Sequence, residues 1–152
     1  MMAKGKPLAV NRRARYDYEI MEQLEVGIVL KATEIKSLRD NRVNISGAYA
    51  YPFNGELWIH NLHISPYPFA KNDNHDPTRT RKLLLRKAEL KKFSEAAGQK
   101  GLTLVPMRVY LSGHFAKVEL GIGRGKSRHD KRRTIIDRDR QREARDAERR
   151  KF

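Results

Sequence analysis

Large apolar side chains nearly vanish from the end of this chain: beyond Gly125 only Ile135, Ile136 and Phe152 stand among 12 basic and 6 acidic residues. Ordering a residue costs about 1–2 kcal/mol of backbone entropy, which so few apolar groups cannot offset. The core must therefore come from earlier residues, and residues 126–152 are expected to be unfolded or loosely helical when free. The other end is similar in charge, because residues 1–15 carry Lys4, Lys6, Arg12, Arg13 and Arg15 and no acid. Residues 16–125, with 16 basic and 12 acidic side chains, are close to ordinary. Most of the net charge of +15 thus sits on two terminal segments, and such an excess attracts polyanions, nucleic acid or an anionic membrane.

At 152 residues and 39% apolar composition the chain can build one modest core. We expect a single domain over 16–125, flanked by a basic segment 1–15 and a basic tail 126–152. There is no cysteine, which removes disulfides and thiolate metal sites and suits a reducing cytoplasm. No run of about 18 apolar residues occurs, and MMAKGKPLAV is too short and interrupted for a signal peptide. A soluble, unprocessed cytoplasmic protein that does not enter a membrane is expected.

Within the core, residues 17–24 (DYEIMEQL) read as a short helix with Tyr16, Ile20 and Leu24 on one face. Residues 25–33 read as a strand, since Val26, Ile28, Leu30 and Ala32 alternate with Gly27, Val29 and Lys31. Thr33 is placed to cap a helix over EIKSLRD. Asn54-Gly55 between AYAYPF and ELWIHNL signals a two-residue hairpin turn. Residues 65–82, with three prolines, read as a surface loop whose basic end, Arg79, Arg81 and Lys82, faces a ligand. Residues 84–100 read as a helix with Leu90, Phe93 and Ala97 inward and Gly101 as its stop. LTLVPMRVYL and HFAKVELGIG then form strands around a Ser112-Gly113 turn, with Val118, Leu120 and Ile122 inward. Five or six antiparallel strands with inserted helices favour a mainly β, small closed barrel.

Little in this sequence carries catalytic chemistry. His60, His63, His75, His114 and His129 are scattered, and His60 and His63, three apart on one expected strand, point to opposite faces. No metal site, cofactor or enzymatic activity is expected; a nuclease using His114 or His129 as general base is the catalytic alternative. GIGRG at 121–125 lacks the helix that phosphate loops need and reads as a flexible exit to the tail. Tyr16, Tyr18, Tyr49, Tyr51, Trp58, Tyr67 and Phe69 are available to stack on unpaired bases, although Tyr49, Tyr51 and Trp58 flank one hairpin and can simply pair across it. In the tail, Arg138, Arg142, Arg145 and Arg149 recur on one helical face. That pattern fits a solvated helix or, our preference, one that forms against RNA.

Seven blocks in order carry a more specific signal: NRRARYDYEI (11–20), LEVGIVLKATEIKSLRDNRVNI (24–45), HISPY (63–67), NHDPTRTRKLLL (74–85), KGLTLVP (100–106), KVELGIGRGKSRHDKR (117–132) and the charged tail. With them the chain resembles the small protein B family, the tmRNA-binding proteins of bacterial trans-translation. The resemblance implies an oligonucleotide-binding-type antiparallel barrel with three helices. It implies binding of the tRNA-like domain of tmRNA by the barrel, while the tail enters the decoding centre and mRNA channel of a stalled ribosome in place of a codon. Elongation factor Tu is the implied partner in delivery, and a monomer is the default state. Carried over, Asn11, Glu25 and Leu85 fall in the tmRNA-binding region, with Arg12, Arg13, Arg15, Tyr16, Lys36, Ser37, Arg39, Arg79 and Lys82 beside it. For Glu25 the alternative is an edge-strand ion pair with the N-terminal arginines. In the tail, His129, Asp130, Lys131 and Arg132 match the family's H-D-K-R block, where the histidine stacks on a ribosomal base; Arg124, Gly125 and Lys126 lead to it, and Arg138 and Arg142 follow. Ser-Arg-His before the aspartate and the arginine-rich end depart from the family pattern.

Overall fold

The computed structural model describes residues 6–70, 72–127, 132, 135, 136 and 138–145. In chain order the elements are β1 (Pro7–Val10), α1 (Ala14–Asp17), β2 (Tyr18–Ile28), α2 (Ala32–Arg39), β3 (Val43–Asn44), β4 (Tyr49–Phe53), β5 (Glu56–His60), β6 (His63–Ile64), β7 (Arg81–Leu84), α3 (Lys87–Ala97), β8 (Leu102–Ser112) and β9 (Phe115–Gly125). Strands β8, β4, β5, β7, β2 and β9 pair antiparallel in that order and β9 pairs back onto β8, so six strands form a ring. Strand β1 joins β8 from outside, and β3 and β6 make a separate ribbon.

Alternation places Val26 and Ile28, Leu57 and Ile59, and Val118, Leu120 and Ile122 in one buried core, against which α3 lays Phe93 and Ala96. Each buried valine, leucine, isoleucine or phenylalanine contributes about 1.5–3 kcal/mol by leaving water. The β4–β5 turn is as expected: Asn54 and Gly55 both have positive φ, 52° and 74°, the backbone of a type I′ turn.

Several local expectations change. Residues 18–24 are strand, not helix. A bulge between Ile20 and Glu22 turns Tyr18 and Ile20 to the outside of the ring while Leu24 and Val26 face in, so the apparent helical spacing arises from two strand faces. The strand ends at Ile28, and α2 starts at Ala32 under a bond from the Lys31 N–H to Glu34 Oε1 (2.7 Å), with Thr33 inside the helix rather than at its cap. The β8–β9 turn is Gly113-His114, since Ser112 pairs with Phe115. Gly121 and Gly123 are buried strand residues, not a flexible exit: a Cβ on Gly123 would sit 2.9 Å from Tyr18 Cβ, so the close approach of β2 demands glycine. Helix α3 is also shorter than expected, ending at Ala97 before Gly98. His60 and His63 lie on different strands, β5 and β6.

The basic end of the 65–82 loop is largely consumed by the fold. Arg81 is fully buried and pairs through Nε with the buried Glu34, while its Nη1 donates to the Leu62 carbonyl at 2.6 Å. Arg79 Nη2 donates to Glu34 at 2.5 Å. His75, buried, bridges the Thr33 hydroxyl (2.9 Å) and the Ile64 carbonyl (2.8 Å), and the Ser37 hydroxyl donates to the Ser65 carbonyl at 2.7 Å. Burial pushes the Glu34 carboxyl up, but hydrogen bonds from Arg79, the Lys31 N–H and Arg81 outweigh it and hold the carboxyl below its ordinary value. Burial draws Arg81 down from its usual value, yet an arginine stays cationic there. The pair fastens α2 to the loop.

Candidate RNA interface

The N-terminal segment and the root of the tail meet at one end of the molecule. Asn11 is anchored to β8, its N–H donating to the Met107 carbonyl (2.8 Å) and Nδ2 to the Pro106 carbonyl (3.3 Å). Ala14 is buried with Val105 and Met107 beneath Tyr18 and Ile20, which leaves Arg12, Arg13 and Arg15 exposed. Arg13 lies over the half-buried Tyr16 ring at 5.3 Å. Lys126 Nζ donates to the Arg15 carbonyl at 2.8 Å and its N–H to the Asp17 carbonyl at 2.9 Å. Exposed Arg124 pairs with Glu19, and Gly125 with Tyr18, so Arg12, Arg13, Arg15, Arg124 and Lys126 form one basic end. Beside it Asn11, Arg12, Arg13 and Tyr49 line a cleft of about 580 Å³.

Across the outer face of β2, β9 and β8 runs a polar network. Glu25 and Glu119 are cross-strand partners, a like-charge pairing that by itself destabilises. Both are compensated. The Tyr110 hydroxyl donates to Glu25 Oε2, Arg108 Nε lies 2.8 Å from Glu119 Oε2, and Gln23, with its amide turned to suit both neighbours, donates to Glu119 and accepts from Arg15 Nη2 at 2.8 Å. Burial first, then the bond and charge of Glu25, push the Tyr110 phenol well above its usual value, so it remains a donor. Glu25 itself stays exposed, at the rim of a depression of about 510 Å³ lined also by Gly27, Leu84, Leu85, Arg86, Glu89 and Lys117. Two carboxylates, Glu25 and Glu89, an apolar ledge and two cations in one shallow surface suit a folded RNA, whose bases offer amino donors and whose backbone offers phosphates.

The structure thus brings Glu25 and Leu85 together, and through the Gln23–Arg15 link it connects them to the N-terminal arginines. The other expected residues lie apart. Ser37 is buried and donates to Ser65, and the half-buried Arg79 pairs with Glu34 while its Nε has no partner among the described residues, so the fold engages both side chains. Lys36 and Arg39 are exposed on α2, Lys36 5.5 Å from the Tyr67 ring centre. Lys82 lies 3.5 Å from Glu56. His129, Asp130 and Lys131 fall outside the described residues; Arg132, Arg138 and Arg142 are helical and exposed. Lys117 and Tyr110 were not singled out from the sequence, although Lys117 stands in the outward phase of the Val118-Leu120-Ile122 alternation and was legible in that sense. Tyr110 had no such signal.

Comparison with known proteins bears on this arrangement. A family model described as SmpB protein matches residues 8–150. An SsrA-binding protein of Ligilactobacillus salivarius is 52% identical over 148 residues, covering 95% of this chain and 96% of the relative. The SsrA-binding protein of Bacillus cytotoxicus is 49% identical over 139 residues, covering 91% and 90%. A solved structure described as "tmRNA-SmpB: a journey to the center of the bacterial ribosome" superposes with a TM-score of 0.68 at 47% identity, covering 88% of this chain and 95% of that one.

Proposed function

The chain belongs to the SmpB protein family, and from that premise we propose that it is a non-enzymatic RNA-binding protein that holds the tRNA-like domain of tmRNA and delivers it to stalled ribosomes in trans-translation. The observation that carries the reading is the surface where Glu25, Leu85 and Lys117 converge beside a basic end made of Arg12, Arg13 and Arg15. In this reading the six-stranded ring acts as a closed oligonucleotide-binding-type barrel, with α3 lying against it. The tail, rooted at Lys126, occupies the decoding centre and mRNA channel, with His129 stacked on a base and Lys131, Arg132, Arg138 and Arg142 on phosphates. Elongation factor Tu joins the delivery complex, and the protein acts as a cytoplasmic monomer. No helix among the described residues is long and apolar enough to cross a membrane, which fits an aqueous partner. The test is a chain ended after Gly125. It should bind tmRNA nearly as the full chain does, with the steep salt dependence of phosphate contacts, and should fail to support tagging of stalled chains. Tagging by the shortened protein would sink the two-part mechanism.

A further inference from the structure

The outer face of the β4–β5 hairpin, apart from Tyr49 at the cleft beside the basic end and Lys82 at its margin, takes no part in the function proposed above. Ala50, Leu57 and Ile59 are its buried side, so Tyr49, Tyr51 and Phe53 of β4 and Trp58 and His60 of β5 all turn outward. Tyr49, Tyr51 and Phe53 are 41%, 53% and 68% exposed, a contiguous aromatic surface that a soluble domain rarely leaves bare without a partner. Cross-strand pairing orders it. Tyr49 stacks on His60 at 5.0 Å and 17°, Tyr51 stands opposite Trp58, and the Trp58 indole is pinned by its N–H donating to the Phe53 carbonyl at 3.1 Å. Next along the sheet Trp58 stands opposite Lys82, whose exposed pairing with Glu56 is worth little in water and can be exchanged for a phosphate. Residues two apart on a strand repeat roughly every 6.5–7 Å, which sets the rings in a row along the sheet.

We infer that this face is a second RNA surface, on which Tyr51, Phe53 and Trp58 stack two or three unpaired nucleotides while Lys82 meets their backbone. Strand β5 is paired on both sides and β4 meets β8 at Ala50, which limits the edge open to strand addition, and a second copy would bring another +15 of charge against this one. A polyanion with flat bases complements both properties. In the ring, β4 and β5 lie opposite β2 and β9, and Lys82, two residues from Leu84 on β7, stands between this face and the depression at Glu25. A single-stranded stretch of tmRNA and one of ribosomal RNA share this chemistry.

Trp58 is the only tryptophan, which makes the full chain its own reporter. Titration with an unstructured oligouridine of about twelve nucleotides should quench Trp58 emission saturably. The Tyr51→Ala/Phe53→Ala variant, checked for an unchanged circular dichroism spectrum, should bind it at least about ten-fold more weakly, whereas Glu25→Ala should bind it as the parent does. Should the double variant not fold, Phe53→Ser at the most exposed ring serves the same comparison. Binding with no change in Trp58 emission and equal affinity for the variant would assign the oligonucleotide to the basic termini and overturn the inference. So would a concentration-dependent dimer that the variant abolishes while oligouridine affinity stays unchanged. Repeating the comparison with tmRNA and with vacant ribosomes identifies the source as the one for which the variant loses affinity; no loss for either also overturns the second surface.

Discussion

Two carboxylates, Glu34 and Glu25, sit in regions of the same small fold and do opposite things. Glu34, on α2, is fully buried and accepts from Arg79, Arg81 and the Lys31 N–H, so its hydrogen-bonding capacity is spent inside the protein. Glu25, on β2, is exposed, takes a bond from Tyr110, and presents its remaining lone pairs at a depression floored by Leu84 and Leu85. The difference teaches that charge in a basic RNA-binding chain is not a map of its interface. Arg79 and Arg81, from the most arginine-rich stretch of the loop, hold the fold, while an acid, Glu25, stands exposed in the surface we propose for RNA.

The largest effect that can break this contrast is on Glu34. Glu34→Ala leaves Arg81 buried without its counter-charge, and removing one partner of a buried pair costs about 3–5 kcal/mol. Urea unfolding should show that loss, and tmRNA binding should fall only as far as the folded fraction falls. Its pH dependence follows from the depressed carboxyl: the stabilisation is complete above the ordinary value of 4.5 and is lost as pH drops through the lower folded value. Thermal melts of the parent should therefore decline in that acidic window more steeply than melts of Glu34→Gln, which has no proton to take up. Parallel declines would remove Glu34 from the account.

Glu25→Ala is expected to do the reverse. It relieves the like-charge pairing with Glu119 but takes the acceptor from the buried Tyr110 hydroxyl, so the net stability loss should be about 1 kcal/mol, well below that of Glu34→Ala. Affinity for tmRNA should fall roughly ten-fold, the worth of one hydrogen bond to a charged group. Unchanged affinity would move the RNA site away from β2.

These contrasts also mark what the sequence can convey. The β4–β5 hairpin, the inward phase of β9 and the charge on the termini depend on neighbours in the chain, and each was readable from spacing and turn chemistry. The β2 segment was misread because a bulge swaps its faces, an event set by pairing with β9, far along the chain. Arg81 reads as a ligand contact in the sequence because nothing local says that Glu34, 47 residues earlier, meets it in the interior. Glu25 and Leu85 follow from motif resemblance rather than from pattern, and the fold sets both at one depression between β2 and the β7–α3 junction, a proximity that no local spacing conveys.

The finest test concerns Tyr110, which stands between the two regimes, being buried like Glu34 but bonded to an exposed acid. Tyr110→Phe keeps the ring and removes only the donor. Because Glu25 can regain a water in its place, the stability loss should be about 0.5–1.5 kcal/mol, the net worth of a single hydrogen bond. If the phenol matters to RNA by aiming the carboxylate, the variant lowers tmRNA affinity by a few-fold in the parent and not at all in the Glu25→Ala background. A double-mutant cycle reads that coupling directly. Equal losses in both backgrounds would mean that Tyr110 supports the sheet alone, and that Glu25 finds its direction from the RNA instead of from the protein.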